Sequence, residues 1–264
     1  MQFAFDLISD LHIETWPQQE FDWKDRATSP FCVVAGDIAR DRDVVYNILK
    51  HLGSCYQAVF YIDGNDEHRD YYDNIASSYD NLTTLISQIP NVVYLQDNVV
   101  VIDGVAILGT NGWWNFDFDN ALDATEAMSW YCEKVDAGPP LGNAIKKMAN
   151  ADATYMQASI RRLQTHNDVK KIVVVTHTVP DPALIAHDID LDGHLRFNCM
   201  GNRYMKMALD QDFKHKVHTW CFGHYHGSID QSRDDVRWVN NCRGRGATTY
   251  SQYVYHPKRI VIDF

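Results

Sequence analysis

The stretch Ala58-Val59-Phe60-Tyr61-Ile62-Asp63-Gly64-Asn65-Asp66-Glu67-His68 passes abruptly from an apolar run to polar residues. A short apolar run bounded by Gly and acidic residues reads as a buried strand, and the change marks its carboxyl end. Asn65, Asp66, Glu67 and His68 then set four polar side chains in a row, able to ligate a metal, carry a proton or cap a helix.

The same kind of ending recurs along the chain. Asp10-Leu11-His12 follows FAFDLIS, Gly36-Asp37 follows FCVVA, Thr176-His177 closes KIVVVT, and Gly223-His224-Tyr225-His226 follows VHTWCF. In an open α/β sheet the carboxyl ends of parallel strands share one edge, and ligands bind in the crevice beyond it. The five endings can therefore converge. Asp, His and Asn without a thiolate form a hard-to-borderline donor set suited to Mn, Fe or Zn. Any one ending is explained as well by a turn, a cap or a satisfied histidine. The full series, with one D-x-H and one H-x-H, is not.

Around these endings strands and helices alternate. Val44, Val45, Ile48, Leu49 and Leu52 repeat at helical spacing, with Gly53 as the expected stop. A second helical stripe runs from Tyr71 to Ile89, with an interruption expected near Ser77 and Ser78. Residues 92 to 95 and 98 to 109 alternate like strands, with Asp103-Gly104 as a hairpin turn. A helical cap insertion is expected at about 120–166, broken at Gly138-Pro139-Pro140, within a single domain spanning 1–264. Strand character returns at 171–176, 217–222, 236–239 and 253–264. The polar segment from Asp181 to Asn202, carrying His187 and His194, reads as a loop over the site.

With 264 residues, 45% of them hydrophobic, the chain can bury a substantial core. The formal charge of -11 excludes a broad nucleic-acid surface, which needs clustered Lys and Arg. The six cysteines form no C-x-x-C pair, and reduced thiols in a cytoplasmic protein are expected. The N-terminus has no basic stretch before its first strand, and no apolar run approaches the ~20 residues of a membrane helix. Neither a signal peptide nor a membrane span is expected.

The order Asp10-x-His12, Gly36-Asp37, Gly64-Asn65, His177, Gly223-His224-x-His226 resembles the calcineurin-like metallophosphoesterases, whose motifs run D-x-H, G-D, G-N-H-[D/E], a lone H and G-H-x-H. The resemblance covers nearly the whole chain. Ser9 to Glu14, Leu108-Gly109-Thr110, Thr176-His177 with Pro180, and Asn241-Cys242-Arg243-Gly244 also look like a bacterial phosphohydrolase branch of that family. The fold implied is a two-sheet β-sandwich flanked by helices, in four α/β/β/α layers. The cofactor implied is a pair of divalent metal ions, Mn favoured over Fe or Zn. Carried over by position, one ion takes Asp10, His12, Asp37 and His226, and the other takes Asp37, Asn65, His177 and His224, with Asp37 bridging. The implied reaction is attack of a metal-bound hydroxide on a phosphomonoester or phosphodiester. Two cations also explain how an acidic protein holds a small phosphorylated substrate.

The departure from the family lies in the opening stretch. Where the family has His after Gly-Asn, this chain has Asp66. That His is held to serve the leaving oxygen, and an ordinary Asp, with a reference pKa of ~3.9, is a poor proton carrier near neutrality. His68 lies three residues beyond Asn65 and would share its face in a helix, so Asp66 and His68 are the catalytic candidates. Arg40 and Arg243 are the candidates for substrate binding. The aromatic run Trp113, Trp114, Phe116 and Phe118 suits either the pocket mouth or the core. Asp66, with Thr178 where the related branch often has a second His, also motivates another class: a metal-stabilised binding or scaffold protein of the same fold with weak or no catalysis.

Overall fold

A computed structural model describes residues 2–16, 21–118, 123–186, 190–246 and 255–264. His187 and residues 247–254, part of the strand expected at 253–264, lie outside them. The strand runs become β1 (Gln2–Ile8), β2 (Phe31–Ala35), β3 (Ala58–Ile62), β4 (Val92–Tyr94), β5 (Asn98–Ile102), β6 (Val105–Gly109), β7 (Lys171–Val175), β8 (Val217–Phe222), β9 (Ser228–Arg233), β10 (Val236–Asn241) and β11 (Lys258–Asp263). Among the described residues they form a five-stranded sheet, β11-β1-β2-β3-β4, and a six-stranded sheet, β5-β6-β7-β8-β10-β9. Strands β1 to β4 are mutually parallel, as are β6, β7, β8 and β10, whereas β11, β5 and β9 pair antiparallel at the edges.

Alternation within the apolar runs creates the layers. Phe5, Leu7, Val33, Phe60 and Ile62 meet Ile107, Val173, Val175, Cys221 and Val239 between the sheets. Their neighbours Ile8, Cys32, Val34 and Val59 turn to the other face, beneath helices α1 (Arg42–Cys55) and α2 (Ile75–Ile86). On the far side, Ala106, Leu108, Ile172, Val174 and Trp220 meet Ala153, Met156, Ile160 and Leu163 of α4 (Pro139–Thr165). The result is the four-layer α/β/β/α sandwich. Each fully buried large side chain contributes about 1.5–3 kcal/mol, so this double-sided burial is the main stabilising term.

Several expectations change in detail. Helix α1 runs through Gly53, whose carbonyl accepts from Asn91 Nδ2 at 2.7 Å, so this Gly allows a close approach rather than ending the helix. Ser77 and Ser78 lie inside α2, and the break falls before its N-cap Asn74. Of the stretch expected as a cap, α3 (Ala124–Lys134) and the first turns of α4 cover the aromatic run, while the rest of α4 belongs to the core of the second sheet. The segment after Asp181 holds a 3-10 turn, Pro182–Leu184, and a short helix α5 (Leu191–Phe197) with buried Phe197, rather than an open loop. Strand β9, SIDQSR, escaped notice because it is a mostly exposed polar edge.

Buried Asp152 of α4 fastens the chain leaving β6. It accepts from Thr110 Oγ1 at 2.8 Å and from the N–H groups of Gly112 and Trp113 at 2.9 and 3.0 Å. Burial pushes its carboxyl up to about 7. A folded pKa above the unfolded one gives a stabilising contribution that is complete below the ordinary Asp range and is lost as pH rises through about 7. The urea midpoint of the wild type should therefore exceed that of Asp152→Asn by more at pH 5 than at pH 8, measured in chelator. A gap unchanged by pH would contradict this assignment.

Candidate metal centre

Strand register delivers the site. Ile8 pairs with Val34, so Asp10 lands beside Gly36 and donates its N–H to the Gly36 carbonyl at 2.9 Å. Ala35 pairs with Ile62, which brings Asp37 against Gly64. In the second sheet Val175 pairs with Cys221, and the Gly223 N–H reaches the His177 carbonyl at 2.8 Å. The sheets join where His177 Nδ1 donates to the Ala35 carbonyl at 2.9 Å. The polar strand ends thus meet at one end of the sandwich.

Among the described residues three groups have ligand atoms within 4.8 Å of one another: Asp10–His12–His226 and Asp37–His177–His224, which face each other, and His12–Glu14–Asp66 behind the first. His12 Nε2 and His226 Nε2 are 3.0 Å apart. Asp10 turns Oδ1 to His226 Nε2 at 3.3 Å, while its Oδ2 accepts from Ser9 Oγ, from Cys242 Sγ at 2.9 Å and from the His224 N–H at 3.1 Å. Asp37 faces both clusters: Oδ2 lies 3.7 Å from His12 Nε2, and Oδ1 lies 3.5 Å from His177 Nε2. Asn65 joins the second cluster, its Oδ1 3.3 Å from His177 Nε2. His224 donates Nε2–H to the Cys199 carbonyl at 3.1 Å, which leaves Nδ1 as its lone-pair nitrogen, and its ring stacks on Trp114.

The backbone here is bent against its preferences. Asp10, His12, Asp37 and His224 all have positive φ, between 41° and 63°. Such conformations cost energy for residues other than Gly and gather at functional sites. Gly36, at φ 85°, has no room for a side chain: a Cβ would strike the His177 ring. Glu67 ties the loops together by accepting from the N–H groups of Asp37, Ile38 and Gly64 at 3.1, 2.6 and 2.8 Å.

The electrostatics suit cations. Burial works against charge on Asp37, yet His177 and His12 hold its carboxyl well below the usual range. Burial likewise lowers His177, but Asp37 and Asp10 outweigh it and raise the ring to about 10. The negative field that would retain a proton on His177 would equally retain a divalent ion. Burial, then His177, pushes His224 down to about 4, so its ring is neutral and able to ligate near neutrality. Burial and then Asp10 push the Cys242 thiol up, which keeps it a donor to Asp10 rather than a thiolate ligand. The donor set fits hard-to-borderline divalent cations.

The remaining candidates are placed elsewhere. His68 does not join the cluster: it is fully buried, with Nε2 2.8 Å from Asp63 Oδ2, Nδ1 2.7 Å from Ser78 Oγ, and its ring against Tyr79 and Trp113. The expected shared face does not bring the two together: Asn65 is the N-cap, outside the 3-10 helix Asp66–Tyr71, and turns its Oδ1 to His177, whereas His68 packs inward on Asp63 and Ser78. Asp66 is also fully buried and lies beside His12 rather than on the pocket wall. Arg243 stacks on Trp16, 3.9 Å from its ring centre, and Arg40 points its Nε toward Asp66 at 3.9 Å. Trp113, Trp114, Phe116 and Phe118 are all buried, and Trp114 also lines the pocket and backs His224. Thr178 is buried and donates to the Gly112 carbonyl.

A pocket of about 770 Å³ opens on the cluster through Asp37, Asn65, His224 and His226. Its wall includes Arg69 and Arg245, which the sequence reading missed, together with Tyr131 and Lys134 of α3 and Arg196 of α5. The sequence held no usable signal for Arg245: two residues beyond Arg243 in extended chain it would project to the same side, and it is Gly244, at φ 75°, that turns the chain between them.

No protein-family model matches the chain. The uncharacterised protein L509 of Acanthamoeba polyphaga mimivirus is 21% identical over 240 residues, covering 83% of each chain. The crystal structure of phosphopantetheinyl hydrolase from Mycobacterium tuberculosis superposes with a TM-score of 0.75 at 18% identity, over 98% of this chain and 96% of that one. The two proteins share a fold throughout.

His68→Ala should lower unfolding free energy by about 3 kcal/mol, because it leaves a cavity and strips the buried Asp63 of a partner. Urea denaturation measures this, and unchanged stability would contradict the structural assignment.

Proposed function

We propose that this chain, whose fold is that of the calcineurin-like metallophosphoesterases, is a metal-dependent phosphoesterase acting on a small phosphorylated substrate. The observation that carries the reading is Asp37, buried between two histidine clusters with one carboxylate oxygen turned toward each. Asp10, His12, Asp37 and His226 would hold one divalent ion, and Asp37, Asn65, His177 and His224 the other, with Mn favoured over Fe or Zn. Such a pair, when bound, polarises phosphoryl oxygens and activates a water.

The protein's own part is positioning and charge. Asp10 is fixed by Ser9, Cys242 and the His224 N–H, and His177 by the Ala35 carbonyl, so these donors are oriented before anything binds. Arg69, Arg245, Lys134 and Arg196 along the pocket provide cationic groups for a phosphate ester inside an otherwise acidic molecule. That localisation of positive charge favours a small anion over a nucleic-acid backbone. The similarly folded M. tuberculosis protein is a phosphopantetheinyl hydrolase, which supports hydrolysis as the reaction type. Among the described residues no helix is long and apolar enough to cross a membrane.

Chelated protein should lose hydrolysis of p-nitrophenyl phosphate or bis-p-nitrophenyl phosphate and regain it on addition of Mn²⁺. Protein shown to contain metal but inert toward both would contradict the proposal and favour the metal-stabilised scaffold.

A further inference from the structure

Asp66, the residue that replaces the family's His, is a junction. Its Oδ2 lies 2.7 Å from Arg245 Nη2 and 3.3 Å from His12 Nδ1. Its Oδ1 accepts from Asn65 Nδ2 at 3.1 Å and lies 3.8 Å from Arg69 Nη1. Its backbone N–H donates to Asp37 Oδ1 at 2.8 Å. Two of these contacts bear on ligand orientation, the one to His12 as a charge contact without a hydrogen bond. With Nδ1 turned to Asp66, His12 directs Nε2 at His226 and Asp37; with Nδ2 bound to Asp66, Asn65 directs Oδ1 at His177. Both carboxylate oxygens are committed, and the side chain is wholly buried.

Arg245 is built into the same unit. The N–H groups on either side of it are held, Gly244 by the Asp10 carbonyl at 3.0 Å and Gly246 by Thr15 Oγ1 at 3.0 Å. Its guanidinium grips Asp66 from the pocket side and lines the cavity with Arg69, Asn65 and Asp37. The group facing a bound ester from this corner is therefore a fixed cation, not an acid.

Resting on the phosphoesterase reading, we propose that Asp66 is a positioning residue for His12, Asn65 and Arg245, and that Arg245 meets the departing oxygen of the ester. Hydrolysis forms a P–O bond to a water oxygen and breaks the P–O bond to the leaving group, whose oxygen keeps the bonding pair; the water's proton passes to bulk solvent. A guanidinium holds its protons, so the oxygen departs as an oxyanion paired with Arg245 and takes a proton from solvent afterwards. The preferred substrates are then those with acidic leaving oxygens, aryl esters and phosphoanhydrides, over alkyl esters.

The test uses the full chain and the variants Asp66→Asn, Arg245→Ala and Arg245→Lys, each checked for folding by urea denaturation. Calorimetric Mn²⁺ titration of the apo protein should show affinity weakened about tenfold or more in Asp66→Asn and unchanged in Arg245→Ala. Inorganic phosphate should bind the Mn²⁺-loaded Arg245→Ala protein about tenfold more weakly, with Arg245→Lys between the two. For p-nitrophenyl and p-methoxyphenyl phosphates and their methyl diesters, Arg245→Ala should slow the methoxy esters more than the nitro esters. Unchanged Mn²⁺ affinity in Asp66→Asn overturns the positioning role. Unchanged phosphate affinity or an unchanged nitro-to-methoxy ratio in Arg245→Ala overturns the leaving-group role. If the binding changes appear but no variant turns over any ester, the unit stands and the phosphoesterase reading falls.

Discussion

The organising constraint is the burial of Asp10 and Asp37 between two sheets, faced by His12, His177, His224 and His226. Carboxylates so placed are costly unless charge of the opposite sign reaches them. The surrounding structure serves that condition. Parallel strands bring their carboxyl ends together, left-handed residues bend the chain inward, and Gly36 leaves space for the His177 ring. Backbone N–H groups on Glu67 lock the Asp37 and Gly64 loops at a fixed distance. Divalent ions would complete the charge balance that the imidazoles begin.

A second layer sets what the site can do with an anion. The order of strand endings places ligands, but the pocket wall comes largely from α3, α5 and the loop carrying Arg245. Arg69 and Arg245 converge on Asp66, so one buried carboxylate joins ligand orientation to the cationic corner of the pocket. An overall acidic protein can thereby keep a locally positive cleft.

Much of the fold was legible because strands buried on both faces appear as short apolar runs, and each run ends in residues unsuited to a core. The convergence of the five polar endings followed from their shared position at strand ends, and the choice of Asp10, His12, Asp37, Asn65, His177, His224 and His226 within them from the resemblance in motif order. What the sequence concealed was side-chain direction. His68 was assigned a face shared with Asn65, but its ring turns inward to Asp63 and Ser78. Arg243 and Arg245 are equivalent by composition, and only the path of their loop sends one to Trp16 and the other to the pocket. Polar edge strand β9 gave no apolar signal at all.

The central claim is that Asp37 is shared by two metal sites. Counting Mn²⁺ bound per chain while recording its electron paramagnetic resonance tests this most directly. The account predicts two ions with spin-coupled spectra in the wild type, and loss of that coupling in Asp37→Asn. A single uncoupled ion per wild-type chain at saturating Mn²⁺ would contradict it.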